Sequence, residues 1–176
     1  MKPLLLTLAF VTLTAPVFAQ YPAPSPLQQI PPVAKTVSLA GPRFGFTFLN
    51  DSMVDQLKAR RNITVKNGIS QFGWQFEKQF YSKEGGPTVL NEAVVLVGGL
   101  DQGVALPSLS WLVGLRTRDG AEFGIGPNVT PAGVALALAA GVTFRAGVLN
   151  IPMNFAVVPS KNGMRVSMLT GFTLRK

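Results

Sequence analysis

The strongest constraint on this chain is a strict two-residue alternation near its end. Ile151, Met153, Phe155, Val157 and Pro159 alternate with Pro152, Asn154, Ala156, Val158 and Ser160. After Asn162-Gly163, Val166, Met168, Thr170, Phe172 and Leu174 alternate with Arg165, Ser167, Leu169, Gly171 and Thr173. A period of two belongs to strands, and Asn-Gly is the pair that a type I′ hairpin turn favours. That turn predicts Pro159 opposite Val166, Val157 opposite Met168, Phe155 opposite Thr170, Met153 opposite Phe172 and Ile151 opposite Leu174. One face is then almost wholly apolar. The other carries Gly, Ala, Ser and an occasional Arg, where a soluble sheet would offer water Lys, Glu and Thr. A one-residue slip would mix the faces, so the pattern constrains the register. Such a sheet suits a barrel whose greasy side meets lipid.

Residues 1–19 read as a secretory signal peptide: Lys2, an apolar run from Leu4 to Leu13, and Val17-Phe18-Ala19 before Gln20. Beyond it no stretch approaches the roughly twenty apolar residues of a spanning helix, so a membrane location requires strands. The chain has 176 residues, 47% hydrophobic and 14% charged, enough for one domain with a real core. With no Cys it has neither a lipid-anchor site nor a disulfide. Its formal charge is +8. Export argues against nucleic acid as a partner and favours anionic lipid or polysaccharide headgroups.

Residues 20–37 form a linker with Pro22, Pro24, Pro26, Pro31 and Pro32, semi-rigid in polyproline conformation. It is read either as a tether to a periplasmic partner or as a lead-in to the first strand. The barrel domain covers residues 38–176. Its first strand is Ala40 to Leu49, and a Ser52/Asp55 capping box opens a short helix through about Arg61. Lys58, Arg60, Arg61 and Lys66 make one basic surface cluster. Strands follow at Ile69–Tyr81, Thr88–Leu100 and Ala105–Thr117, with a turn at Glu84-Gly85-Gly86. Arg118-Asp119-Gly120 suits a three-residue loop with Gly in the left-handed position, setting Arg116 opposite Glu122, Leu115 opposite Phe123 and Val113 opposite Ile125. The fifth strand is expected to be short, Ala121 to about Gly126, with Pro127 to Gly133 as loop. Val134 to Arg145 is Ala-rich and could be helical, but its alternation favours a strand. With the final hairpin this makes eight strands: an all-β, antiparallel, up-and-down eight-stranded β-barrel with one short helix in the first long loop.

Two faces follow. Phe44, Phe46, Phe48, Phe72, Trp74, Phe76, Trp111, Phe123, Phe144, Phe155 and Phe172 fall on the apolar face and are expected to face lipid. Lys78 shares that face and would reach for water. Arg43, Glu77, Glu92, Arg116, Glu122, Arg145 and Arg165 fall on the other face and would meet inside as a paired network, since buried charge is tolerable only when paired. That network is either a plug or an ion-selective lumen. The absence of His and Cys removes the usual general base and the common transition-metal ligands, so no catalytic residue, metal or cofactor is expected.

The signal peptide, the outward aromatic triplets, the small or charged inward residues and the tight turns resemble small bacterial outer-membrane β-barrel proteins over residues 38–176. The resemblance implies both termini on the periplasmic side, insertion by the barrel assembly machinery, and a structural or surface-contact role rather than an enzyme. Such barrels commonly finish on an aromatic residue, whereas this chain reads Phe172-Thr173-Leu174-Arg175-Lys176. The alternative is a soluble periplasmic or secreted barrel of lipocalin type, its aromatic face turned inward around an apolar ligand. The two predict opposite orientations of Phe44, Trp74 and Phe155.

Overall fold

The computed structural model describes residues 36–82, 87–161 and 163–175. Residues 1–19, the linker up to residue 35, the turn at Glu84-Gly85-Gly86, Asn162 and Lys176 lie outside them. The elements run β1 (Val37–Leu49), α1 (Asp51–Arg61), β2 (Gly68–Ser82), β3 (Thr88–Gly98), a 3-10 turn (Leu100–Gln102), β4 (Leu106–Arg116), β5 (Ala121–Thr130), β6 (Gly133–Ala146), β7 (Leu149–Ser160), β8 (Gly163–Gly171) and β9 (Thr173–Arg175). β9 continues β8. Arg43 faces Gly171 and Ala40 faces Leu174 in one unbroken register across Phe172, so the two pieces act as the eighth strand. Because β1 pairs with both β2 and this last strand, the antiparallel sheet closes into an eight-stranded barrel.

The closure is staggered. Hydrogen-bonded partners run from Val37 through Gln79, Leu90, Gly114, Gly124, Ala139, Ala156 and Ser167 to Thr47. One circuit thus climbs from position 37 to position 47 of β1. Ten residues at about 3.3 Å each, over eight strands about 4.8 Å apart, tilt the strands by about 40°. Most of this circuit is small, which suits an interior only wide enough for side chains.

Alternation sorts the side chains as the sequence pattern predicts, and the result inverts the usual soluble arrangement. Among the described residues 13 hydrophobic side chains are buried while 29 large ones are exposed. All eleven of the predicted aromatics point outward, including Phe46 at 59%, Trp74 at 46% and Phe172 at 44% exposure. The lipocalin-type alternative requires these rings around the axis and is overturned by their orientation. Lys78 is exposed among them, with Ser38 and Asn91 opposite it on the neighbouring strands.

Three expectations about local structure need correction. The last hairpin pairs Pro159 with Met164, Val157 with Val166, Phe155 with Met168 and Met153 with Thr170, two residues from the expected register. A slip of two leaves every side chain on its own face, so face patterning could not detect it. Tertiary contacts decide instead: Asn50 N–H donates to Met164 O at 3.3 Å, and Met164 N–H donates to Asn50 Oδ1 at 3.2 Å. These anchor the start of β8 beside the end of β1.

The second correction concerns β5, which runs on to Thr130 through Pro127. The expected loop over Pro127 to Gly133 therefore begins later: although proline offers no N–H to a ladder, Pro127 still pairs with Leu136 on one side. The ladder to β4 is interrupted there, between Asn128 and Ile125. Gly126 packs so closely that a Cβ would strike the Trp111 carbonyl. The third is the helix cap: Asn50 Oδ1, not Ser52, accepts the Met53 N–H at 3.2 Å. The expected Arg118-Asp119-Gly120 loop does form, with Gly120 at φ 87° and Arg116 opposite Glu122. Residues 133–146 are strand.

At one end of the barrel α1 lies over the opening. Met53 and Leu57 pack with Leu49, Val65, Ile69 and Leu106 in one apolar cluster. Lys58, Arg60 and Arg61 stand at the helix C-terminus, where the dipole favours cations. At its end, Asn62 adopts the left-handed conformation and returns its N–H to Lys58 O at 3.1 Å.

Candidate functional site

The inward positions of the strands build the interior in layers. Nearest the start of β1 and the end of β9, Arg116 on β4 is gripped by two carboxylates. Its Nη1 and Nη2 donate to Glu77 Oε1 and Oε2 at 2.6 and 2.7 Å, and its Nε donates to Glu122 Oε1 at 2.6 Å. Glu122 also accepts from the Thr143 hydroxyl and from Asn154 Nδ2 at 3.5 Å. The tight loop at 118–120 brings Glu122 beside Arg116, and β2 supplies Glu77 from another part of the circuit. All three are nearly inaccessible, with side chains 2–5% exposed. The bidentate fork with extra donors satisfies what a buried ion cluster requires.

The remaining charges do not join this triad. Arg43, 1% exposed, donates from Nε to Gln75 Oε1 at 2.6 Å and from Nη1 to Pro152 O at 3.4 Å. Arg165 donates to Thr130 Oγ1 and Asn128 Oδ1, both at 2.8 Å, and its Nε has no partner. Glu92 sits opposite Glu77 in the register and borders an internal cavity; among the described residues it has no side-chain hydrogen bond or ion pair. Arg145 has the inward parity but lies beyond the buried layer, at the end of β6, and is exposed. The expectation of seven mutually paired charges therefore needs correction. Three form ion pairs, two are held by neutral groups, one faces a cavity and one is outside. The neutral holders Gln75, Asn128, Thr130 and Thr143 share the inward parity, and that was the signal by which they could have been found.

Three buried arginines (Arg43, Arg116, Arg165) stand against three buried glutamates (Glu77, Glu92, Glu122), so the interior has no net formal charge. Above the triad, the central cavity has room of about 70 Å³, bordered by Arg43, Glu92, Ser108 and Ser110. That volume holds a few waters. Among the described residues no group of acidic side chains could hold a metal ion.

The four residues of the basic cluster, Lys58, Arg60, Arg61 and Lys66, are all exposed at the helix end. Beside them the 3-10 turn is tied to β2 by Asp101, which accepts from the Ser70 hydroxyl and at 3.3 Å from the Ser70 N–H. That hydroxyl holds the Asp101 carboxyl below the ordinary carboxylate value.

Closure, stagger and an inside-out distribution of side chains together define a small up-and-down β-barrel. Its fold is similar to that of Ail, the attachment invasion locus protein of Yersinia pestis. The crystal structure of Ail matches with a TM-score of 0.52 at 10% identity, covering 80% of this chain and 97% of that one. A second Ail structure, in complex with the heparin analogue sucrose octasulfate, gives a TM-score of 0.49 at 11% identity over the same shares. No protein-family model and no curated protein sequence matches the chain.

Proposed function

We propose that the chain is an outer-membrane β-barrel with a structural or surface-contact role. The observation that carries this reading is the outer wall: large apolar side chains stand exposed on every strand while Arg43, Glu77, Glu92, Arg116, Glu122 and Arg165 are buried inside. An exposed apolar surface on this scale is untenable in water and natural in lipid. Strand length supports it. β3 and β4 have 11 residues each, and about 3.3 Å per residue at a tilt of about 40° gives about 28 Å, close to the hydrocarbon thickness of about 30 Å.

In this reading residues 1–19 direct export and residues 20–37 link to the first strand. Both barrel termini face the periplasm and α1 faces outward, presenting Lys58, Arg60, Arg61 and Lys66 to anionic lipid or polysaccharide headgroups. The triad and the cluster beneath α1 plug the lumen. No catalytic role is proposed, because the chain has neither His nor Cys to serve as the usual general base or nucleophile.

Envelope fractionation tests the reading. The protein should sediment with membranes, require detergent for extraction, and migrate faster on a gel before heating than after. Recovery in the aqueous extract without detergent would defeat it.

A further inference from the structure

The barrel wall does not close along its whole height. β6 begins at Gly133 and β7 runs to Ser160, yet their pairing stops at Leu138 opposite Val157. Past that point β6 stays with β5 as far as Gly133 opposite Thr130, and β7 stays with β8 as far as Ser160 opposite Gly163. The seam between β6 and β7 therefore splits at the helix end, where Pro159 has no N–H to offer a ladder. The split holds a cleft of about 600 Å³, bordered by Val134 and Ala135 on one side, Pro159 and Lys161 on the other, with Met53 and Arg165.

The chemistry changes along this cleft. Val134, 71% exposed, and Pro159 belong to the outer apolar wall. Lys161 is exposed at the turn. Arg165 is 8% exposed and also borders the central cavity. Its two bonded partners are neutral, its Nε is unpartnered, and among the described residues no carboxylate stands within 4.0 Å of it. A buried guanidinium without a counter-ion is costly, and this one borders an opening that leads to the outer wall.

We propose that the β6–β7 cleft is a lateral binding site for a phosphate-bearing lipid. Its acyl chain lies along Val134 and Pro159, and its phosphate is held by Arg165 and Lys161. A phosphate monoester fits better than a carboxylate because it offers more charge and more acceptor oxygens to two cations. The inference rests on the membrane reading above.

Native mass spectrometry of the full chain in an uncharged detergent tests it, with dioleoyl phosphatidic acid as probe. Dioleoyl phosphatidylcholine and glycerol 3-phosphate are the comparison arms. One phosphatidic acid should be retained at concentrations about tenfold below those needed for phosphatidylcholine, and glycerol 3-phosphate should not be retained. Arg165→Gln should weaken retention by about tenfold or more, as expected when one partner of a buried charge pair is lost. Lys161→Gln, at an exposed position, should weaken it less. Ala135→Phe fills the cleft while leaving Arg165 in place and should also remove binding, with heat-modifiable migration showing that each variant is folded. Equal retention of the two lipids, or undiminished binding in folded Ala135→Phe, overturns the site. Glycerol 3-phosphate binding as tightly as phosphatidic acid overturns the lipid source. A protein that never needed detergent would instead overturn the membrane reading.

Discussion

The two ends of the barrel interior are closed by opposite chemistries. Near the start of β1, Arg116 is locked between Glu77 and Glu122 by four short contacts, counting the Thr143 hydroxyl on Glu122. Under α1 the filling is Leu49, Met53, Leu57, Val65, Ile69 and Leu106. The ionic end depends on direction and register, because its atoms come from four strands that must arrive at matching heights. The apolar end is filled by volume, under one helix whose start is fixed by Asn50 through Met53 and Met164. Charge specifies the stagger; grease seals what the stagger leaves open.

Arg116→Met should break the contrast most strongly. It strands two buried carboxylates and should cost about 3–5 kcal/mol, read as a lower urea midpoint of tryptophan fluorescence in lipid vesicles. An unchanged midpoint would show that the triad does not stabilise the barrel. Leu57→Ala attacks the other end. A buried Leu under a single helix that can settle should lose about 2–3 kcal/mol, and the loss should appear as faster protease cleavage within 50–67 while the strands stay protected. Cleavage spreading into β4 or β5 would mean that the two ends are not separable.

Glu92→Gln sharpens the comparison from within the ionic half. Glu92 is nearly as buried as Glu77 but has no hydrogen bond to lose, so its substitution should be neutral within about 1 kcal/mol or stabilising. A loss as large as that of Glu77→Gln would refute the distinction between paired and cavity-facing carboxylates. The smallest effect lies at the helix-end rim. Asp101 titrates below its ordinary value because Ser70 favours the ionised form, so its contact contributes above the unfolded carboxylate pKa of about 3.9 and fades as pH falls through the lower folded value. Ser70→Ala should raise the Asp101 midpoint towards that ordinary value by NMR titration, and an unmoved midpoint would remove Ser70 as the cause.

Much of this was legible beforehand for a definite reason. Side chains alternate with a period of two, so the outward placement of Phe46, Trp74 and Phe172 and the inward placement of Arg116 and Glu122 could be read directly. The 118–120 loop was legible because only one turn length keeps Arg116 opposite Glu122 and Leu115 opposite Phe123. The same logic is blind to even shifts, so the last hairpin came out two residues away. It is equally blind to height. Arg145 shares the parity of Thr143, yet Thr143 is buried on Glu122 and Arg145 lies beyond the layer. Parity says which side a residue takes; only the closed circuit says which residues meet. The extent of β5 past Pro127 was not legible for a related reason, since a missing N–H matters only where the adjoining ladder would have used it.

The ten-residue offset around the wall has one more consequence. Because the ring of partners is a spiral that returns to its own first strand, adding or removing one residue within a strand must be taken up by a local bulge, as β2 does between Gln79 and Tyr81. Without such a bulge, every later neighbour would have to be re-threaded before the last strand could find the first. The end loops carry no such constraint, and the two rims are where this architecture is free to acquire new surface.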